Sequence, residues 1–329
     1  MRIAVFSTKS YDREYLDRFN AESGHELVYF EAPLNLNTAN LTQGFEGVCV
    51  FVNDKLDQAT VNAIAKNGVG LIVLRCAGFN NVDLEATRSN DMKVLRVPAY
   101  SPEAVAEHAV ALMLTLARKT HKAYNRVREN NFSLERLNGF NIHGKTVGVI
   151  GTGRIGIAFA RIMKGFGARL IAHDVYESDE IRSLGVEYKS LDHVIRESDI
   201  ISLHCPLTPE TKYLINRETI SHMKKGVMLI NTSRGGLINT RDVLVGLKQG
   251  KIGYLGIDVY EQEEKLFFED LSDTIVEDDV IARLMSFPNV LITSHQGFFT
   301  NEALEQIAHT TISNISDFEN GVPSKNEVL

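Results

Sequence analysis

The sequence predicts an α/β protein of two doubly wound parallel-sheet domains, one inserted into the other. Three observations lead there. Short apolar runs alternate with helix-like segments along the 329 residues, a length that a single hydrophobic core does not fill. A glycine-rich turn opens a second strand–helix series only at residue 151. A long helix pattern then follows the last strand of that series.

The elements follow in chain order. "RIAVF", "GVCVFV", "GLIVLRC" and "KVLRV" read as buried strands within residues 1–97. Segments such as 57–67, with Asp57 as N-cap, read as the helices between them. Continuous apolar runs of this kind belong to parallel sheets covered on both faces. In "SPEAVAEHAVALMLTLARKTHKAY", Ser101 can cap a helix, Pro102 suits its first turn and Glu103 faces its positive end. Val105, Ala109, Leu112, Met113 and Leu116 leave that helix apolar on most sides. It is read as the crossing between domains, and the 101–120 region as a surface for a second copy. From Lys145 the strands are "TVGVI", "RLIAH", "DIISLH", "VMLIN", "YLGID" and "NVLIT". A helix pattern over 301–319 and a polar tail complete the chain. The expected domains are 101–298, inserted, and 1–100 with 299–329.

Composition narrows the partners. Apolar residues make up 44% and charged residues 23%, an ordinary globular balance. The formal charge of −7 disfavours nucleic acid and anionic membrane. Cys49, Cys76 and Cys205 are far apart and form no C-x-x-C pair. That fits a reducing compartment, with no disulfide frame and no metal site. The apolar run in "MRIAVFSTKS" is too short for a signal peptide, and Glu107 and His108 interrupt the apolar stretch 104–117. The expected location is cytoplasmic.

"GTGRIG", residues 151–156, has the G-x-G-x-x-G form that cradles a dinucleotide pyrophosphate. Its context is right: "KTVGVI" leads into Gly151, a helix pattern follows, and Asp174 ends the next strand 18 residues past Gly156. Gly151 makes the turn, Gly153 lets the backbone approach the pyrophosphate, and Gly156 lets the helix pack on the strand. The helix N-terminus favours the phosphate charge. Asp174 would accept hydrogen bonds from the adenosine ribose, and its charge repels a 2′-phosphate, so NAD is favoured over NADP. The inserted domain is thus expected to be a Rossmann NAD-binding domain, and the smaller one flavodoxin-like.

Three further motifs follow strands of the same sheet. "INTSRGG" places Arg234 after "VMLIN", "GIDVYEQE" places Asp258 and Glu263 after "YLG", and "LITSHQGF" places His295 after "NVLIT". Singly, each reads as a solvated loop residue. Together, beyond the carboxyl ends of parallel strands, they bring a cation, carboxylates and an imidazole to where such sheets bind ligands.

On "RCAGFNNVDL", "VPAYSPEAVAEHA", "GKTVGVIGTGRIG", "SLHCPLTPET", "NTSRGG", "DVYEQE", "LFFED" and "SHQGFFT", the chain resembles the D-isomer-specific 2-hydroxyacid dehydrogenase family. The resemblance runs over essentially the whole chain. It implies Arg234, Glu263 and His295 as catalytic residues. It implies pyrophosphate contacts at Arg154 and Ile155, a ribose contact at Asp174, and Cys205 and Pro206 beside the adenosine half of NAD. Thr232 and Asp258 would lie near the nicotinamide half, and Ser233 and Arg234 would also contact the cofactor. The backbone of Ala77 and Gly78 would bind the substrate carboxylate, Tyr100 would close the pocket and Phe298 would line it. Residues 1–100 would hold the carboxylate end of the substrate, and a homodimer or homotetramer is expected.

The implied reaction is reversible, NADH-dependent reduction of pyruvate to D-lactate. Reduction leaves alkoxide character on the carbonyl oxygen, so His295 would donate a proton while Glu263 orients the imidazolium. Arg234 would grip the carboxylate and polarise the carbonyl, a two-pronged task for which Lys is poorly shaped. Two other readings stay open: a reductase for glyoxylate, hydroxypyruvate or a branched 2-keto acid, and an NADH-sensing scaffold on the same fold.

Overall fold

A computed structural model describes residues 1–263, 266–268 and 270–328. Glu269 of "LFFED" and Leu329, the end of the expected outer domain, lie outside the described residues. The chain divides into two compact units, Met1–Ser101 with Phe298–Leu329, and Pro102–Gly297. Ser101 and Phe298 therefore belong to the first unit, not to the inserted domain as expected. The helix of the second unit starts only at Pro102. The Phe298 ring packs 5.8 Å from Phe51 and 6.3 Å from Tyr100, both residues of the first unit.

The first unit runs β1 (Arg2–Val5), α1 (Ser10–Asn20), β2 (Glu26–Tyr29), β3 (Gly47–Val50), α2 (Gln58–Lys66), β4 (Leu71–Leu74), α3 (Leu84–Ser89) and β5 (Lys93–Arg96). Its all-parallel sheet has the order β2-β1-β3-β4-β5, the flavodoxin-like arrangement. Alternate strand residues point to opposite faces. Val48, Ile72 and Leu74 pack with Val61 and Ile64 of α2. Ile3, Val5, Leu71 and Val73 pack with Ala308, Ile312 and Ile315 of the returning C-terminal helix. The polar tail is not free: Val328 N–H donates to Val94 O at 2.8 Å and Arg96 N–H to Asn326 O at 3.1 Å. The tail thereby covers the edge of β5.

The second unit contains α4 (Pro102–Arg118), α5 (Thr120–Arg128), β6 (Thr146–Ile150), α6 (Arg154–Gly165), β7 (Arg169–His173), α7 (Asp179–Ser183), β8 (Glu187–Tyr188) and α8 (Leu191–Glu197). It continues with β9 (Ile200–Leu203), α9 (Arg217–His222), β10 (Val227–Asn231), α10 (Thr240–Lys248), β11 (Ile252–Ile257), α11 (Asp279–Met285) and β12 (Val290–Ile292). Helix α12 (Asn301–Glu319) then returns to the first unit. The parallel sheet has the order β12-β11-β10-β9-β6-β7-β8. This is the Rossmann order, reversing between β6 and β9, with one strand more than the six read from sequence. The unread strands are β2, a half-buried edge, and β8, only two residues long. The apolar sides of α4 are covered largely by its own chain: Ala109, Leu112, Met113 and Leu116 join a core with Phe159 of α6 and with Met228 and Ile230 of β10. No helix among the described residues is long and apolar enough to cross a membrane.

Phe159 has no exposed surface in that core. Phe159→Ala is expected to cost about 3–5 kcal/mol in urea unfolding, while Leu134→Ala, at an 82% exposed position, changes stability by less than about 0.5 kcal/mol.

Candidate active site

The glycine loop is shaped by contact. Gly151 has φ +96° and passes so close to the next loop that a Cβ would lie 2.4 Å from Cys205 N. A Cβ on Gly156 would lie 2.0 Å from Gly151 O, so only glycine lets α6 start against the turn. At Gly153 a Cβ would meet nothing within 4 Å, so the backbone there faces open space, as a cradle for phosphate requires. Arg154 and Ile155 form the first turn of α6. Asp174 follows β7, and its Oδ2 accepts from Thr152 N–H at 2.5 Å and Thr152 Oγ1 at 3.0 Å. Its Oδ1 accepts from Tyr176 N–H at 3.0 Å and keeps a further lone pair. Tyr188 of β8 donates to Thr152 Oγ1 at 2.8 Å, so the unread strand supports the turn.

The loops after β9 and β10 are tied together. Ser233 Oγ donates to Cys205 O at 2.6 Å, and Pro206 is exposed beside it. Burial raises the Cys205 thiol to about 11, so it stays protonated near neutral pH. Among the described residues, the buried Thr232 Oγ1 has no hydrogen-bond partner, which fits a polar ligand at this edge. Asn231, fully buried, accepts from Ser233 N–H at 3.0 Å and donates to Arg234 O at 2.9 Å, setting the turn that carries Arg234. Arg234 Nη1 donates to Ser233 O at 2.7 Å and to neither Glu263 nor His295.

Glu263 and His295 are brought together. His295 Nδ1 lies 2.8 Å from Glu263 Oε1, and Glu263 Oε2 accepts from Tyr260 N–H at 2.8 Å. Both carboxylate oxygens are thus engaged, one by the His295 ring and one by the Tyr260 amide. The Phe268 ring lies 6.0 Å from the imidazole. Asp258, only 1% exposed, anchors the His295 loop. Its main-chain O accepts from His295 N–H at 2.7 Å, Oδ1 from Gln296 N–H at 2.8 Å and Oδ2 from Gly297 N–H at 2.8 Å. Thr293 Oγ1 donates to Oδ1 at 2.5 Å. Burial raises the Asp258 pKa, but His108, Thr293 and the Gln296 amide lower it further, so the net value falls below 3.8.

In the first unit the carbonyls after β4 are occupied. Cys76 O accepts from Val97 N–H at 3.2 Å, Ala77 O from Arg96 Nη1 at 2.8 Å and Gly78 O from Cys76 Sγ at 3.2 Å. Among the described residues the Ala77 and Gly78 amides donate to nothing, which leaves two donors for an anion. Tyr100 and Phe298 stand together in the same unit. Among the described residues no group of three or more His, Cys, Asp or Glu could hold a metal.

Sequence reasoning missed Thr152, Tyr188, Asn231, Tyr260, Thr293 and His108. "NTSRGG" carried a local signal for Asn231, which begins that motif. The others bond to residues distant in the chain or through the backbone, without a spacing rule to reveal them.

The model of the D-isomer specific 2-hydroxyacid dehydrogenase NAD-binding domain matches residues 110–297. The chain is 53% identical to the D-lactate dehydrogenase of Escherichia coli over the full length of both. It superposes on the apo-structure of D-lactate dehydrogenase from Escherichia coli with a TM-score of 0.92, at 51% identity and complete coverage of both chains. It also superposes on D-lactate dehydrogenase from Aquifex aeolicus, complexed with NAD and lactic acid, with a TM-score of 0.86. That match has 34% identity and covers 97% of this chain and 96% of the other.

Because the Asp258 pKa is depressed on folding, its contribution to stability is fully present above 3.8 and is lost as pH falls through the lowered folded value. Asp258→Asn is expected to lower Tm at pH 7, since its amide N–H groups face loop donors. The Tm gap to wild type should hold down to about pH 4 and shrink below it. Thermal melts of both proteins across pH check this; a gap that stays constant to the lowest pH would contradict it.

Proposed function

The chain belongs to the D-isomer-specific 2-hydroxyacid dehydrogenase family and is an NAD-dependent oxidoreductase, and from that premise we propose that it reduces pyruvate reversibly to D-lactate. The observation that carries the reading is the His295–Glu263 pair at 2.8 Å, beyond the strand ends of the nucleotide-binding sheet. The lactate-specific names of its relatives support the substrate.

NADH, when bound, would supply the hydride that the carbonyl carbon accepts. His295 gives a proton to the carbonyl oxygen from Nε2, because Nδ1 faces Glu263. Glu263, held by Tyr260 N–H, fixes the ring and balances the imidazolium charge. Arg234 takes the substrate carboxylate and polarises the carbonyl with its planar fork. The free amides of Ala77 and Gly78 bind the carboxylate, and Tyr100 and Phe298 line the methyl end. Lactate oxidation runs the same steps backward, with neutral His295 accepting the proton.

Gly151, Gly153, Gly156, Arg154 and Ile155 would hold the pyrophosphate, Asp174 the ribose, and Cys205 and Pro206 the adenosine half. Thr232 and Asp258 would serve the nicotinamide half, with Ser233 and Arg234 as further cofactor contacts. The first unit acts as the substrate domain. A homodimer or homotetramer forms around the 101–120 region, where the adjoining segment exposes Tyr124, Val127, Phe132 and Leu134 at 50–82%. Three buried free cysteines fit a cytoplasmic setting.

The test is NADH oxidation with a panel of 2-keto acids and chiral analysis of the product. Pyruvate should give the highest kcat/KM and D-lactate as product; a branched keto acid or hydroxypyruvate in first place would replace the substrate. Arg234→Lys should lose roughly 3 kcal/mol or more of transition-state stabilisation in kcat/KM for pyruvate. A near wild-type kcat/KM would remove Arg234 from the site. NADH should be preferred over NADPH, and Asp174→Ala should weaken NADH and relax that preference; equal kcat/KM for the two cofactors in the wild type would overturn the ribose assignment.

A further inference from the structure

His108 is a polar residue within the mostly buried α4. Its imidazole, 14% exposed, reaches the base of the His295 loop: Nε2 lies 2.9 Å from Thr293 Oγ1 and 3.3 Å from Asp258 Oδ1. The direction of these bonds follows from chemistry. Asp258 is ionised and only accepts, so the single Thr293 hydroxyl proton points to Oδ1. Thr293 can then offer His108 only a lone pair, and His108 Nε2 must carry a hydrogen. The series runs from His108 N–H to Thr293 Oγ1, and from Thr293 O–H to Asp258 Oδ1.

Asp258 in turn accepts the amides of His295, Gln296 and Gly297 in succession. His295 itself has φ +55°, a left-handed conformation that a side-chain-bearing residue keeps only where its surroundings impose it. Gly297 is fitted to the same contact. A Cβ there would lie 3.0 Å from Asp258 Oδ2 and 3.5 Å from His108 Cδ2.

We propose that His108 is a positioning residue for proton transfer: through Thr293 and Asp258 it holds the loop that presents His295. This rests on the reading of His295 as the proton donor. His108 touches neither His295 nor Glu263, so its effect passes through the loop backbone.

Three variants test it. His108→Leu removes the donor, His108→Gln keeps an N–H near the Nε2 position, and Thr293→Val breaks the series one step on. The readouts are kcat for keto-acid reduction, KM for NADH, and hydrogen exchange at the Gln296 and Gly297 amides. His108→Leu and Thr293→Val should each lower kcat about tenfold or more. Both should speed exchange at those two amides and leave KM for NADH within about twofold. His108→Gln should recover kcat to within about threefold of wild type. Unchanged exchange in His108→Leu, or His108→Gln as impaired as His108→Leu, would overturn the proposal. If His108→Leu does not fold, Thr293→Val decides: slow exchange with intact kcat refutes it. His295→Ala separates the two readings. If that variant keeps wild-type kcat, the proton-donor assignment falls. If it is inactive while His108→Leu and Thr293→Val match wild type in kcat and exchange, only the role of His108 falls.

Discussion

The Asp258 carboxylate, buried at the end of β11, decides where the imidazole of His295 can stand. A carboxylate in that position is costly unless several donors converge on it. Here the donors are the amides of Gln296 and Gly297 and the hydroxyl of Thr293, with the His295 amide on the Asp258 carbonyl beside them. The loop after β12 therefore wraps around one residue. Five positions further along the chain from Asp258, Glu263 meets the side chain of the residue that this wrapping displays. One short segment, 258–263, thus holds the His295 loop by its first carboxylate and the His295 ring by its last.

The same logic of strand ends arranges the nucleotide half. Parallel strands place the turns after β6, β7, β9, β10 and β11 on one edge of the sheet. Gly151 lies against the start of the β9 loop at Cys205, and Ser233 after β10 bonds that loop at the Cys205 carbonyl. Asp174 after β7 bonds the glycine turn through Thr152. The turns after β6, β7, β9 and β10 are thereby each held by a neighbouring turn.

Much of this was legible in the sequence because burial leaves a pattern. Strands covered on both faces are unbroken apolar runs, and every such run read from the sequence is a strand. The strands that escaped are those that burial hardly marks, the half-exposed "ELVY" and the two-residue "EY". The candidate catalytic side chains were legible as chemical types following strands. Their supports were not: Thr152 meets Asp174 across 22 residues, Thr293 meets Asp258 across 35, and His108 meets Thr293 across 185. Such pairs follow from topology, and no local period encodes them. His108 in the sequence is only an interruption of an apolar stretch, and Asp258 only a residue near the cofactor.

Strand ends alone do not choose among histidines, and the environment does. His173, His204 and His295 all stand at or after strand ends of this sheet. Burial pushes the His204 pKa down to about 3, and among the described residues its Nδ1 has no partner, so that ring stays neutral over the working range. Its Nε2 faces Ser202 Oγ at 2.9 Å, a contact inside the sheet. His173 Nδ1 faces the Lys189 carbonyl at 3.1 Å, which fixes its ring without offering a charge to balance an imidazolium. His295 alone of the three has a carboxylate on one ring nitrogen while its side chain stays 19% exposed. A proton donor needs both conditions, since the charged ring must be tolerated before transfer and the other nitrogen must reach the ligand. The neighbouring Asp258 also bears a negative charge, but its carboxylate is committed to loop amides and to Thr293. Its charge therefore sets the backbone, while Glu263 sets the ring. Two carboxylates on one strand-end loop thus hold the backbone and the ring of His295 separately.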